Sequence, residues 1–495
     1  MTKLQLFLVS NLFLLSLPSF SFDITEDTLL KLANKANPSL AEIESSFLTS
    51  KVQSMELDDK FGFEAYGGHN NIQTKEKSTI SFQPVFKSVN QYTLGVKKYT
   101  KYGMVLDLNT SVDTRSGQSE SGSDYKDLHT TVYEFGIQMD LWKDFLGRIT
   151  KNQTENLQDI KAKDELQKEI SISTFKVNVR KLYWAIMANH QKIEVMNKLY
   201  ETAKVQAAEA RKRKASSISD KAEVARFESF VHQRKGQILA LEYEREALFK
   251  NLRELFPNLN NEPLKVANIK LDKSIFEVVS CSTQIGKTTE VPYDSTKYDE
   301  VVNLLNGIKE RQLKVDNTYD DIDLKFDLKL KKTGVSSSTT DNSNYTGDYQ
   351  DSLDDMNDND RSGLNAGIML TIPFGEDKSS TKTVKEELTN KQFEASIDSL
   401  NAKVRATHSQ IKNSIHLLNQ VISEQRENSK QLGIRVKEMK KKYAQARIPE
   451  YVLLQDQDAL LQSDLNVIDT QLMIVNTILD YISVFNEYPC SFNRK

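Results

Sequence analysis

Charge, not a reactive centre, carries whatever chemistry this chain has. The six histidines, His69, His129, His190, His232, His408 and His416, show no metal-ligand spacing. There is no Gly-rich phosphate loop, no G-x-S-x-G elbow and no cysteine cluster, so neither an enzyme nor a cofactor or metal site is expected. Charges in conspicuous places remain. Asp458 falls on an otherwise apolar helical seam, where a carboxylate is costly unless paired or wet. It either faces water or the seam starts after it. Two basic clusters, Arg211-Lys212-Arg213-Lys214 and Lys440-Lys441-Lys442, each stand just before a helix break. They read as solvated helix faces, or as a docking surface or counter-charges for nearby carboxylates. Asp351, Asp354, Asp355, Asp358 and Asp360 crowd a loop rich in Ser and Asn. That loop is either a solvated tip or a cation-attracting surface. Cys281 and Cys490 are the only cysteines, and can pair if the chain is exported.

Long helices position most of these groups. From Gly147 to Arg213 there is neither proline nor glycine after the first residue. A seam runs through Phe175, Val179, Leu182, Ile186, Ile193, Met196, Tyr200, Ala203, Ala207 and Ala210 at heptad spacing, with one jump over Asn189. A second long helix from Lys378 to Ala446 repeats the pattern through Ile411, Ile415, Leu418, Ile422, Gln425, Ser429, Leu432, Val436, Met439 and Tyr443. At ~1.5 Å per residue each would span roughly 100 Å. A shorter helix then returns in each case. The first uses Val224, Phe227, Val231, Ile238, Leu241, Leu248, Leu252 and Leu255 and stops at Pro257. The second starts at Pro449 and uses Leu454, Leu461, Leu465, Ile468, Leu472, Val475, Leu479 and Ile482.

Four segments alternate with period two: 104–112, 133–141, 322–330 and 364–374. Each has one apolar face (Leu106 and Leu108; Phe135 and Ile137; Phe326 and Leu328; Ile368 and Leu370). The opposite faces carry Asp107, Glu134, Lys325, Asp327 and Lys329. A soluble sandwich gives the same alternation. Three features favour a membrane barrel: full charges on the polar faces, long polar loops at 113–131 and 332–363, and aromatics near strand ends at Tyr102, Tyr133, Trp142, Tyr319 and Phe374. The acidic loop would then lie at a pore mouth. Between Phe61 and Tyr99, Ile80-Ser81-Phe82 and Tyr92 to Val96 alternate as well; they are either extra strands or an extension of the strand at Met104.

Composition agrees. Net charge is −3, which gives no bulk attraction for nucleic acid. Only 38% of residues are hydrophobic and mean hydropathy is −0.52, as expected of long solvated helices. Lys3, the apolar run Leu4–Leu17 and Pro18-Ser19-Phe20-Ser21 read as a secretory signal cleaved after Ser21. Leu472–Phe485 is the nearest approach to an apolar spanning run, and Asn476, Thr477 and Asp480 interrupt it.

The order of elements occurs twice. Ile137-Gln138-Met139-Asp140-Leu141-Trp142 and Ile368-Met369-Leu370-Thr371-Ile372-Pro373 both pass from strand to long helix. Ala215-Ser216-Ser217-Ile218-Ser219-Asp220 and Ala444-Gln445-Ala446-Arg447-Ile448-Pro449-Glu450 both join long helix to return helix. The expected divisions are a signal (1–21), opening helix (22–60), strands (61–145) and helices (146–260). A linker (261–296) precedes a second opening helix (297–318), strands with the acidic loop (319–375), helices (376–488) and a tail (489–495).

With Asn37-Pro38-Ser39-Leu40 ending its first turn-forming helix region, this order resembles the TolC-like outer-membrane efflux channels over nearly the whole chain. The resemblance implies a mainly helical protein with both α and β parts: a long coiled-coil barrel topped by a transmembrane antiparallel β-barrel of twelve strands, four from each chain of a homotrimer. It implies an exit duct in the outer membrane of a Gram-negative-type bacterium, with the helices in the periplasm. A periplasmic adaptor and an inner-membrane pump would be its partners. The nearest candidates for the periplasmic gate are Asp220, Glu450, Asp456 and Asp458. The adaptor-docking candidates are Arg211, Lys212, Arg213, Lys214, Lys440, Lys441, Lys442 and Arg447. The chain departs from the family at the turn, where Ala446 and Ser217 stand at positions usually glycine. A periplasmic coiled-coil scaffold would explain the helices but not the strands, and a soluble exported binding protein would explain the strands but not the helices.

Overall fold

The computed structural model describes residues 22–35, 37–74, 85–118, 124–217, 220–260, 262–266, 296–336, 348–373 and 376–485. The signal at 1–21, Ile80-Ser81-Phe82, Cys281, Cys490, Ile218, Ser219 and Phe374 lie outside them. In chain order the elements are β1 (Phe22–Ile24), α1 (Glu26–Ala33), α2 (Pro38–Ser46), α3 (Leu48–Lys60), β2 (Phe63–Gln73), β3 (Val85–Tyr99), β4 (Met104–Gln118) and β5 (Asp124–Asp140). Then come α4 (Arg148–Ala215), α5 (Lys221–Leu255), β6 (Leu264–Val266), α6 (Lys297–Asp316), β7 (Asp323–Val335), α7 (Tyr349–Asp358), β8 (Ser362–Thr371), α8 (Glu376–Ala444) and α9 (Glu450–Phe485). The duplication is plain in the helices: α4 and α8 have 68 and 69 residues, and their return helices α5 and α9 have 35 and 36.

The chain divides into two compact units. One comprises 1–47, 165–301 and 398–495, and the regular structure of its described residues is helical apart from the short parallel pair β1–β6. Its core follows the expected seams. Phe175, Val179, Ile186, Ile193 and Met196 of α4 are buried, as are Ile411, Ile415 and Ile422 of α8. The jump at Asn189 has a cause: the residue is buried on the seam and donates from Nδ2 to the Leu241 carbonyl at 3.1 Å. By length and composition α9 is apolar enough to cross a membrane, yet Ile474, Val475, Ile478 and Leu479 pack into this core. Asp480, which interrupts that run, sits on the other side and pairs with Lys181 at 2.5 Å.

The other unit, 48–164 and 302–397, carries one antiparallel sheet in the order β2-β3-β4-β5-β7-β8. The expectation of four strands per chain in this sheet is therefore corrected to six among the described residues. β2 was missed because Gly67-Gly68-His69-Asn70-Asn71 has no apolar stripe. β4 and β5 also run further than expected, to Gln118 and from Asp124, so the loop read at 113–131 is mostly strand. Beyond Val112 the polar residues Asp113, Thr114 and Arg115 hide the alternation but keep the ladder. Tyr133 accordingly lies in mid-strand and not at an end.

The turn at 100–103 and the exit from β5 are built against each other. Asp144 caps α4, its Oδ1 accepting from the amides of Ile149 (2.6 Å) and Thr150 (3.0 Å). Gly147 has φ +77°, and a Cβ there would stand 2.1 Å from the Lys101 carbonyl oxygen, so only glycine fits.

Candidate functional site at the turns of the helical hairpins

Both hairpin turns use the same backbone device. At the end of α8, the Arg447 amide donates to the Lys442 carbonyl and the Ala446 amide to that of Tyr443, both at 2.9 Å, a Schellman closure. Ala446 has φ +54° and Ser217, its counterpart after α4, has φ +57°. Two non-glycine residues thus hold the left-handed conformation that glycine adopts without strain. The α5 hairpin half is then capped by Asp220, whose Oδ1 accepts from the Glu223 amide at 2.7 Å. Asp220 is a helix cap, which is the role its position at the end of a turn dictates.

Below the turns the two hairpins meet through small and aromatic side chains. Ala203, Ala207 and Ala210 of α4 let α5 approach closely, and Phe227, Phe230, Tyr443, Leu453 and Leu454 fill the space. Polar ties run along the edge of this cluster. The Tyr443 hydroxyl donates to Glu223, Arg226 pairs with Glu450, and Arg234 pairs with Asp458. Each tie joins α5 of the first hairpin to α8 or α9 of the second. Glu223, Arg226 and Arg234 share one face of α5 because three and eleven residues bring a helix back to nearly the same side. Arg435 and Asp456 pair at 2.9 Å within the second hairpin.

Burial distinguishes the four pairs. Arg234 is 1% exposed; it also donates to Gln237 at 2.9 Å and lies 4.4 Å over the Phe230 ring. Asp458 is 46% exposed. The seam carboxylate is therefore half in water and anchored by a buried arginine; Leu453 and Leu454 are buried ahead of it, so the seam does not start after it. Asp456, not Asp458, is the buried acid, at 4% exposure. Tyr443 has its pKa pushed well above the ordinary range, first by burial and then by its hydrogen bond to the Glu223 carboxylate. Further along, burial raises Asp464, which accepts from Ser429. Lys192 pairs with Asp469 at 2.5 Å, extending the ties between α4 and α9.

Of the expected gate residues, the structure brings Glu450 and Asp458 together with arginines of the other hairpin, and Asp456 with one of its own. Sequence reading missed Glu223, Arg226, Arg234 and Tyr443 as the partners, although Tyr443 was placed on the seam; charge opposite charge across two hairpins leaves no local signal. The basic clusters divide. Arg211 pairs with Glu228 at 2.7 Å, Arg213 stacks 4.5 Å over the Tyr443 ring, and Lys441 pairs with Glu438. Lys212, Lys214, Lys440, Lys442 and Arg447 are exposed.

The sheet offers a second arrangement. Its apolar face is bare over most of its extent: Tyr92, Leu94, Val96, Leu108, Phe135, Leu330, Leu364, Ile368 and Leu370 are all exposed. Its polar face carries a row across all six strands, Glu64, Lys97, Asp107, Gly136, Lys329 and Asn365, set by the ladder registers. Lys329 pairs with Glu134 at 3.2 Å beside this row, and Gly136 opens a cavity of about 180 Å³ between Asp107, Gln138 and Asp327. The described part of the acidic loop, 348–361, goes to the other face. Its helix α7 lies over the apolar-face residues Thr131 and Gly334, with Ser352 Oγ 2.6 Å from Thr131 Oγ1. Asp348 and Asp351 cap α7, and Asp355 accepts from the Val335 amide at 2.9 Å and from Arg361 at 3.0 Å.

Among the described residues no cluster of three or more His, Cys, Asp or Glu is placed to hold a metal. No protein-family model matches the sequence. No curated protein matches it either. Solved structures do match in fold. The CusC transmembrane channel superposes with a TM-score of 0.63 at 12% identity, covering 94% of this chain and 93% of that one. The outer-membrane protein VceC of Vibrio cholerae gives 0.62 at 10% identity over 92% and 95%. The CmeC outer-membrane channel of Campylobacter jejuni gives 0.62 at 11% identity over 93% and 85%.

Proposed function

We propose that this chain, which has the fold of the TolC-like outer-membrane channels, is an exit duct in the outer membrane of a Gram-negative-type bacterium. It would serve a tripartite efflux or type I secretion system. The observation that carries the reading is the sheet. Its apolar face is exposed strand after strand while its opposite face bears paired charges. In water such a face is a liability; in lipid it is the required surface. A scaffold or adaptor without a barrel leaves that face unexplained.

In this reading the chain works as a homotrimer, since a single sheet with open edges cannot stand in hydrocarbon. Conduction is passive along the polar side of the sheet. The ties of Tyr443, Arg226 and Arg234 hold the two hairpins together at their turns, and opening requires them to part. The exposed bases Lys212, Lys214, Lys440, Lys442 and Arg447 are the surface for a periplasmic adaptor, which favours opening by binding the parted state more tightly. An inner-membrane pump supplies the energy. No catalytic step is involved.

Single cysteines along β4 test the reading. At Asp107 and Asn109 a water-soluble thiol reagent added to intact outer membranes is expected to label fully; at Leu106 and Leu108 only a lipid-soluble reagent should. Equal labelling of both faces by the water-soluble reagent would mean that the sheet does not cross a membrane.

A further inference from the structure

Resting on the channel reading, we propose that β2 and β8 are the subunit seams of the barrel. β8 of one copy pairs antiparallel with β2 of the next, and three copies close a wall of eighteen strands. Among the described residues each chain holds this sheet as six antiparallel strands, with β2 and β8 at its ends. Strand directions alternate throughout, so β2 and β8 run oppositely. Set side by side in neighbouring copies they continue the same antiparallel pattern without a break.

The added hairpin β2–β3 is part of the wall and not a flap beside it. Its ladder to β4 continues from Tyr99–Val105 to Val85–Gln118. Tyr66 reaches across β3 to donate to Asp107 Oδ1 at 2.8 Å on β4. Its ring covers Gly95, where a Cβ would come within 2.4 Å of it. An aromatic laid over a strand glycine pins register in sheets that must close. The two faces also keep their parity outward: Tyr92, Leu94 and Val96 continue the apolar side, and Lys97 and Glu64 continue the charged row.

The bare edges point to a second copy as the occupant. Soluble sheets blunt long edges with lysine, proline or a bulge. β8 has no charged residue and no proline, β2 has only Glu64, and nearly all of both strands is exposed. Such edges are built to be paired. Counting six strands per chain also changes the pore. At ~4.8 Å between strands and ~40° tilt, eighteen strands give a backbone radius of about 18 Å, against about 12 Å for twelve.

Disulfide trapping in the full-length protein, with Cys281 and Cys490 replaced by serine, tests this. Asn365→Cys on β8 is combined in turn with Glu64→Cys, Gly68→Cys and Asn70→Cys on the polar face of β2. A parallel series combines it with Asp107→Cys, Asn109→Cys and Ser111→Cys on β4. Oxidation in isolated outer membranes is expected to yield covalent dimers and trimers from one or two β2 pairs and none from β4. Cross-links to β4 would mean that the hairpin lies outside a twelve-stranded wall, overturning the inference while leaving the channel intact. Cross-links to neither strand in an oligomer that conducts would overturn it as well. Failure to find any membrane oligomer would instead remove the channel reading. As a second measurement, polymers entering from the exterior should be excluded only above the size that the wider wall passes; exclusion at the twelve-stranded limit contradicts the proposal.

Discussion

Asp458→Ala and Arg234→Met break the same ion pair, yet they should have very different consequences. Arg234 is 1% exposed and, among the described residues, its charge is paired with Asp458 alone, with neutral Gln237 as its other hydrogen-bond partner. Its Nε already lacks a partner among the described residues. Removing Asp458 therefore strands a buried cation. Breaking a fully buried pair costs about 3–5 kcal/mol; because Asp458 is 46% exposed and partly screened, about 2 kcal/mol is reasonable here. Arg234→Met removes the buried charge itself and leaves a half-exposed carboxylate that water can solvate, at a cost of about 0–1 kcal/mol. The readout is amide hydrogen exchange of the tip segments 221–238 and 450–461 in the detergent-extracted protein. At ~1.4 kcal/mol per factor of ten, Asp458→Ala should lower protection there roughly 30-fold and Arg234→Met less than about 5-fold. Equal losses from the two variants would refute the burial argument. No loss from either would remove this pair from the ties that hold the hairpins.

Three further outcomes are expected. Ala446→Gly should raise the unfolding midpoint of the helical part, since relieving a left-handed non-glycine residue gains about 1 kcal/mol; no gain would mean that the turn relaxes the strain elsewhere. Tyr443 is held protonated above its ordinary pKa of 10.0, so its tie is fully present below that pH and lost as the pH climbs beyond it. Tip exchange protection and conductance should thus be flat, as far as this group is concerned, from neutrality to about pH 10, and Tyr443→Phe should abolish the alkaline change above it. Gly334→Val should expel α7, because the Ser352 carbonyl oxygen would stand 1.8 Å from the new Cβ; protease sensitivity at 349–358 should rise with no change in the tip.

Sequence showed the four long helices almost completely, but not the breaks that divide the expected opening helix into α1, α2 and α3, nor α7, and it showed the sheet only in part. Period in apolar residues is a strong signal over the 36 residues from Phe175 to Ala210, and Asn189 could be skipped because its neighbours kept the heptad. The strands were legible where one face is apolar, as at Leu106 and Leu108, and illegible where both faces are polar, as in β2 and the outer ends of β4 and β5. The turn positions Ala446 and Ser217 were found because the duplication aligned them, and their positive φ angles are what a position usually glycine demands. The acids Glu450, Asp456 and Asp458 were found by position, but their arginines were not. Those pairings join α5 to α9 or α8 to α9, and sequence separation conceals them. The place of α7 was illegible for a similar reason: which face of the sheet a helix covers depends on Gly334, a single residue whose lack of a side chain admits it.

The central claim is best tested by purifying the protein from outer membranes in mild detergent and measuring oligomeric mass and planar-bilayer conductance on the same sample. A trimer that dissociates only on heating and inserts as ion-conducting pores is the expected result. A soluble monomer without conductance would contradict it, and the exposed apolar face would then need a different partner.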